Sequence, residues 1–346
     1  MKLLIVAQTV DERDLVLGFF CRWIAELAPH FESIDVIALG KGTCTLPENV
    51  RVHSLGKERG PRSAFTYAWR FLLLAWRLRT RYDRVFVHMN EEYPLLGGLM
   101  WKLLHKPLYF WRNHYAGSWK TSLACALSTT VFYTSQDSFT ARFKNAVRMP
   151  IGVDLDRFSQ HATSKRNKNS LLFLARMSPS KRPDVLIQAL GILNKKGVPF
   201  SATLCGSPSR EDEDYYRDLH EQVSDLRLRE HITFVAGVPH AETHTQYEQH
   251  EFFVNVSRSG MFDKTLFEAA SSGCLVVSAN RDLAEVIPQL GFSGEADDLA
   301  KRLEALFELP SEVRSELEKK LRALAVANSL GNLSEALSSA ILRTPV

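Results

Sequence analysis

Val254-Asn-Val-Ser-Arg-Ser-Gly-Met-Phe-Asp-Lys-Thr-Leu-Phe-Glu-Ala-Ala-Ser-Ser-Gly-Cys-Leu-Val-Val277 reads as a strand, a turn, a helix and a second strand. Glu251–Val256 and Leu275–Ser278 are short apolar, β-branched runs, as buried strands are, whereas Thr265–Ser272 has helical spacing. Gly260 falls in the turn. Gly273 stands where a C′ glycine ends a helix.

The same alternation extends in both directions. Upstream, Ser170–Ala175, Ser201–Cys205 and Ile232–Ala236 read as strands, separated by the helical stretches Arg182–Lys195, Asp214–Val223 and His240–Gln249. The first half repeats it. Strands are expected at Lys2–Ala7, Ser33–Leu39, Arg84–His88, Leu108–Trp111 and Thr129–Tyr133, and helices at Leu17–Ala28, Ser63–Arg81, Leu95–Leu104 and Ser118–Leu127. Strands that alternate with helices imply parallel sheets covered on both faces. The expected fold class is α/β, with two Rossmann-like domains, residues 1–155 and 165–327. The polar stretch Ser159–Asn169 reads as the linker. Glu312–Ile341 has helical spacing, and its end, about 328–346, is expected to return to the first domain.

Composition is globular, with 45% hydrophobic and 24% charged residues in 346, enough chain for two domains. No apolar run approaches the roughly 18 to 20 residues that span a bilayer, and Met1-Lys-Leu-Leu-Ile-Val-Ala7 lacks the form of a signal peptide. The expectation is a soluble cytoplasmic protein. Its five cysteines are scattered without a C-x-x-C pair, which reads as buried reduced thiols. Residues 1–155 hold 20 Lys and Arg against 13 Asp and Glu, making this the basic half. Such a surface could face anionic lipid.

A dehydrogenase places G-x-G-x-x-G directly after its first strand. Here Gln8-Thr-Val-Asp-Glu-Arg13 follows, with Gly18 at the start of a helix, and there is no Walker A sequence. The chemistry gathers instead in the second half. Leu171-Leu-Phe-Leu-Ala-Arg-Met-Ser-Pro-Ser-Lys-Arg-Pro-Asp184 puts Arg176 and Lys181 beyond a strand's carboxyl end, where ligands of open α/β sheets bind. Two such cations suit a diphosphate, although loop cations are commonly only solvated. In the opening stretch, the turn and helix start present backbone N–H groups to an anion. Glu268 lies one turn inside, where a carboxylate can accept from sugar hydroxyls. Its bland reading is an exposed helix glutamate, and that of Lys264 a solvated turn residue.

In order and spacing these segments resemble the retaining glycosyltransferases of family 4, which have the GT-B fold of two Rossmann-like domains facing across a cleft. The resemblance takes in Pro150-Ile-Gly-Val-Asp, Arg176 and Lys181, Phe234-Val-Ala-Gly-Val-Pro239, Phe267–Val277 and Asn328-Ser-Leu-Gly-Asn-Leu333. It implies that Arg176 and Lys181 bind the donor diphosphate, that Glu268 holds the ribose, and that Gly237 and Val238 frame the base. It also implies that the turn Gly260, Met261, Phe262, Asp263, Thr265 contacts the donor sugar and phosphate. Lys264 adds a cation beside the leaving diphosphate. One departure stands out: the family motif is Glu-x7-Glu, and Gly260 occupies the first glutamate's position, with Asp263 as the candidate substitute.

In the first half the resemblance gives Gly18 to the donor phosphate and His114 to the donor sugar. Asn90 and Glu92, after an expected strand, are candidate acceptor contacts. On a helix, Phe65, Trp69, Leu72 and Trp76 of Ser63–Arg81 share one face. That segment reads either as a peripheral membrane helix on the inner face of the membrane or as a core helix with its arginines exposed. Nucleic acid is not an expected partner. The expected activity is hexosyl transfer from a UDP- or GDP-sugar co-substrate to a saccharide or lipid-linked acceptor in cell-envelope polysaccharide synthesis, with no further cofactor and no metal. The alternatives are a GT-B epimerase or phosphorylase, and a non-catalytic nucleotide-binding subunit.

Overall fold

Leu3, Leu4, Ile5 and Val6 are all fully buried, as in a strand covered on both faces. They belong to β1 (Lys2–Val10), which in a computed structural model of the chain runs through the middle of a seven-stranded sheet. The structure describes residues 1–159, 166–261 and 263–343. Residues 160–165 of the expected linker, and Phe262 of the expected donor turn, lie outside them.

The chain folds as two compact units. One is Met1–Gly152 with Pro239–Ala241 and the segment from Leu330 onward; the other is Val153–Val238 with Glu242–Ser329. In the first unit β1 is followed by α1 (Phe20–Leu27), β2 (Ser33–Lys41), β3 (Val50–Ser54), α2 (Ala64–Arg77), β4 (Arg84–His88), α3 (Glu92–Leu103), β5 (Leu108–Trp111), α4 (Trp119–Leu127), β6 (Thr130–Tyr133) and β7 (Ala146–Arg148). The order in the sheet is β3-β2-β1-β4-β5-β6-β7, all parallel. Phe20, Trp23 and Ile24 of α1 cover one face. Phe71, Trp101 and Ala124, from α2, α3 and α4, cover the other.

The second unit contains α5 (Leu155–Ser159), β8 (Ser170–Leu174), α6 (Pro183–Lys195), β9 (Ser201–Cys205), α7 (Glu213–Asp225), β10 (Ile232–Val235), α8 (His244–Gln249), β11 (Phe252–Asn255), α9 (Lys264–Ser271), β12 (Leu275–Ser278), α10 (Arg281–Val286), α11 (Ala296–Phe307) and α12 (Ser311–Ala327). Its five strands are parallel, in the order β10-β9-β8-β11-β12. The helical run expected near the C-terminus is two helices. The second, α13 (Leu330–Arg343), inserts Leu333, Leu337 and Ile341 into the core beside α1.

Both sheets reverse direction of growth once, between β1 and β4 and between β8 and β11. Ligands of open α/β sheets bind beyond the carboxyl ends of the strands at such a switch point. The loops after β8 and β11 carry Arg176–Arg182 and Val256–Asp263. The segments after β1 and β4 carry Gly18, Asn90 and Glu92.

One expectation is corrected. Cys21 and Cys44 are not separate thiols but are joined by a disulfide. The chain after β2 folds back beside the loop after β1, where Glu12 N–H donates to Thr43 O and Thr45 N–H to Glu12 Oε1; sequence spacing carries no trace of this approach. Cys125, Cys205 and Cys274 are buried thiols, and burial pushes Cys125 to about 11 and Cys274 to about 12. The structure also shows which side of α2 faces inward. Phe71 and Ala75 face the core, Trp69 and Trp76 face outward, and Arg70 turns in to donate to Leu55 O at 2.7 Å.

Candidate functional site

The β11–α9 turn is organised around Asp263. It stands at the N-cap of α9, yet its side chain makes no capping bond to that helix. It accepts instead from Lys181 Nζ, 2.8 and 2.9 Å from its two oxygens, and from Asn255 Nδ2 at 2.9 Å. Asn255 in turn accepts from Ser278 Oγ at 3.2 Å. A chain of polar contacts therefore runs from the end of β12, through the end of β11, to the loop after β8. Burial alone would raise the Asp263 carboxyl, but the Lys181 charge and the hydrogen bonds from Lys181, Asn255 and Ser257 hold it below the usual carboxylate range.

Lys264, the first residue of α9, is half-buried. Burial lowers its ammonium from 10.5 to about 7, against the opposing pull of Glu268 and Asp154. Thr265 follows in the first turn. Gly260, at φ 90°, holds a left-handed conformation that a glutamate would adopt only with strain. Met261 is fixed by Asn280, which donates to its carbonyl at 3.2 Å.

Glu268 is 1% exposed, so it is not an ordinary surface glutamate. Its Oε2 accepts from the Tyr247 hydroxyl at 3.0 Å. Burial, and then the Glu268 charge, push the Tyr247 phenol well above its ordinary value, which keeps it a donor. Arg176 is exposed in the loop after β8. Gly237 N–H is engaged, donating to Ser207 Oγ at 3.0 Å, and Val238 follows it after β10.

In the first unit, Gly18 is buried, and a Cβ there would lie 2.7 Å from Asp14 O and 2.8 Å from Glu12 O. Close backbone packing accounts for this glycine by itself. Asn90 follows β4 directly, after Met89 at φ 72°, and Glu92 is an exposed residue of the first turn of α3. His114 is half-buried after β5. Its Nδ1 accepts from Ala116 N–H at 2.9 Å, which in the neutral ring leaves the proton on Nε2. His88, at the end of β4, is enclosed by aromatic rings and stacks on Phe20 at 4.3 Å. Sequence reasoning missed Tyr247, Asn255 and His88; only their places at strand ends or ahead of Glu268 could have drawn notice. Among the described residues one group of three ligand-type side chains, Glu12, Cys21 and Cys44, has its atoms within 4.8 Å of one another, and it includes the disulfide.

With two parallel α/β units and these switch-point loops in place, the class is clear: the fold is GT-B. Residues 155–324 match the family Glycosyl transferases group 1. A crystal structure of Anabaena HepE in complex with UDP-glucose matches 99% of this chain and 100% of its own, at TM-score 0.77 and 19% identity. Among curated proteins, the chain is 25% identical over 198 residues to an alpha-monoglucosyldiacylglycerol synthase of Streptococcus pneumoniae, covering 52% of this chain and 44% of that one. It is 29% identical over 122 residues to a GDP-mannose-dependent alpha-(1-6)-phosphatidylinositol monomannoside mannosyltransferase of Mycolicibacterium smegmatis, covering 32% and 30%. The matched stretches thus span less than half the length of these relatives. Among the described residues no helix is long and apolar enough to cross a membrane.

Proposed function

We propose that this protein is a glycosyltransferase that moves a hexosyl group, with retention, from a UDP- or GDP-sugar to a saccharide or lipid-linked acceptor. The observation that carries the reading is the Lys181–Asp263 pair, which ties the loop after β8 to the start of α9 at the β8/β11 switch point. The match of residues 155–324 to a glycosyltransferase family supports it, as do relatives whose names specify glycosylated lipids.

In this reading residues 165–327 hold the donor and residues 1–155 serve the acceptor. Arg176, Lys181 and Lys264 neutralise the charge that builds on the nucleoside diphosphate as the bond from the anomeric carbon to phosphate oxygen breaks. The acceptor oxygen bonds to that carbon on the same face, and its proton leaves to the departing phosphate. Glu268, oriented by Tyr247, grips the ribose. Gly237 and Val238 frame the base, and Gly18 approaches the donor phosphate. Met261 and Thr265 contribute backbone contacts, and His114 offers Nε2–H to a sugar hydroxyl. Asn90 and Glu92 meet the acceptor. Asp263 serves where Gly260 leaves no carboxylate.

Release of UDP or GDP from a panel of nucleotide sugars, with lipid and saccharide acceptors, tests this. Acceptor-dependent release is expected. Binding without turnover under every pairing would instead favour a non-catalytic subunit, the reading to which the missing carboxylate at Gly260 points.

A further inference from the structure

Arg112 and Glu91 stand beside the His114 loop and have no part in the site described above. Arg112 follows β5 and Glu91 precedes α3, so both lie past the carboxyl ends of neighbouring strands, β5 and β4. Their side chains are 22% and 17% exposed, and Arg112 Nη2 lies 3.7 Å from Glu91 Oε2. The same nitrogen donates to the carbonyl of Ala116 at 3.3 Å. Glu91 Oε2 is itself fixed. Thr121 Oγ1 donates to it while accepting from Ser118 N–H at 3.0 Å, within the capping box of α4. A guanidinium is thus held between a carboxylate and a loop carbonyl. Arg112 Nε is buried without a hydrogen-bond partner among the described residues, so the Nη2 contacts place the guanidinium, not satisfaction of every donor.

Ala116 is also the residue that fixes the His114 ring. His114 Nδ1 lies 2.9 Å from Ala116 N, from which it accepts, and 3.3 Å from Ala116 O. These two neighbours favour opposite tautomers. Accepting from the amide requires a bare Nδ1 and leaves the proton on Nε2. Donating to the carbonyl requires the proton on Nδ1 and makes Nε2 an acceptor. Arg112 weighs on one side of this choice. Its N–H already draws on the Ala116 carbonyl oxygen, and its positive charge opposes a second N–H brought to that oxygen. The loop is pinned from its other side as well. Phe139 N–H donates to His114 O at 2.9 Å, and His114 N–H donates to Ser138 Oγ at 3.3 Å. A Cβ at Gly117 would lie 2.2 Å from the Phe139 ring, so the chain passes that ring with no room to spare.

We infer that Arg112, aligned by Glu91, selects the Nε2–H tautomer of His114 and is a positioning residue for that ring. The tautomer follows from Nδ1 and its surroundings alone. Its use, donation from Nε2 to a sugar hydroxyl, rests on the sugar-transfer reading proposed above. In that reading, loss of Arg112 turns a donor toward the sugar into an acceptor without removing the imidazole.

The test is NMR of the full chain carrying isotope-labelled histidine, read at the imidazole nitrogens, with His114 assigned by its absence in His114→Gln. At a pH where the ring is neutral, wild type is expected to show Nε2 protonated and Nδ1 bare. Arg112→Met, which lacks both charge and donor, is expected to raise the share of the Nδ1–H form at least about threefold. Arg112→Lys keeps the charge and is expected to restore most of the preference. Should Arg112→Met fail to fold, Glu91→Gln is expected to shift the tautomer the same way, since it keeps an acceptor for Thr121 and removes the charge that aligns Arg112. Turnover gives a second readout. Arg112→Met should lower kcat about tenfold with KM little changed, and should cost nothing further in a His114→Ala background. The inference is overturned by a wild type with Nδ1 protonated, by a tautomer that does not move in the folded variants, by Arg112→Lys behaving like Arg112→Met, or by fully additive losses in the double variant. A wild type that transfers no sugar leaves the tautomer measurement standing and sinks only the sugar-transfer reading.

Discussion

Lys181 Nζ, from the loop after β8, lies 2.8 and 2.9 Å from the two carboxylate oxygens of Asp263, from the turn after β11. The pair joins the two loops that flank the switch point, and a bound diphosphate would compete with Asp263 for the same ammonium. This relationship separates two variants. Lys181→Ala leaves a partly buried carboxylate without its cation, and both side chains are 19% exposed. It should lower stability by about 1–3 kcal/mol and weaken UDP or GDP binding about tenfold. Asp263→Asn keeps the cation and removes a negative charge near the phosphates. Nucleotide affinity at low salt should hold or rise while turnover falls. An equal loss of affinity in both variants, measured by calorimetry, would contradict the assignment.

Lys264 supplies a pH signature. With its ammonium at about 7 in the ligand-free protein, an arriving diphosphate raises it and draws in a proton. Between roughly pH 7 and 9, nucleotide binding should take up protons, seen as a binding enthalpy that changes with the buffer, and affinity should fall as pH rises. Lys264→Arg stays charged and should flatten both effects. Stability runs the opposite way. The unfolded chain keeps this proton up to about 10.5, so the group's contribution to stability increases with pH over the same window.

The two folded units were legible in the sequence because largely buried parallel strands read as short, mostly apolar runs. Arg84–His88, Leu108–Trp111, Ser201–Cys205 and Leu275–Ser278 are found where the runs predict them. β3 and β7 escaped notice: Val50–Ser54 is half-polar at the sheet edge, and Ala146–Arg148 is only three residues long. The loops after β8 and β11 were legible as positions but not as partners. Nothing in the spacing of Lys181 and Asp263, 82 residues apart, says that they meet. Nor does periodicity say which side of an all-round apolar helix faces inward, and so the tryptophans of α2 could be read as core.

Tyr247 holds Glu268 by one hydrogen bond, at 3.0 Å. Tyr247→Phe leaves a buried carboxylate oxygen short of a donor and should cost about 1–3 kcal/mol in a denaturant melt. If the carboxylate grips the ribose, wild type should bind UDP about tenfold or more tightly than its 2′,3′-dideoxy analogue. Glu268→Gln should reduce that preference. An unchanged preference would remove Glu268 from the nucleotide site.

Gly18 offers a separation of packing from binding. Its absent Cβ would meet two backbone carbonyls of the 12–14 turn, so Gly18→Ala should lower the melting temperature through a cost of about 1–3 kcal/mol. If the glycine also approaches the donor, affinity for the nucleotide sugar falls in the same variant at a temperature where it is fully folded. Unaltered affinity there would assign Gly18 to packing alone.

The most direct measurement is a crystal structure with a nucleotide sugar bound. The diphosphate is expected within hydrogen-bonding distance of Lys181 Nζ and the first backbone amides of α9, with the ribose on Glu268. A nucleotide seated elsewhere, with Lys181 still paired to Asp263 and Glu268 untouched, would contradict the account.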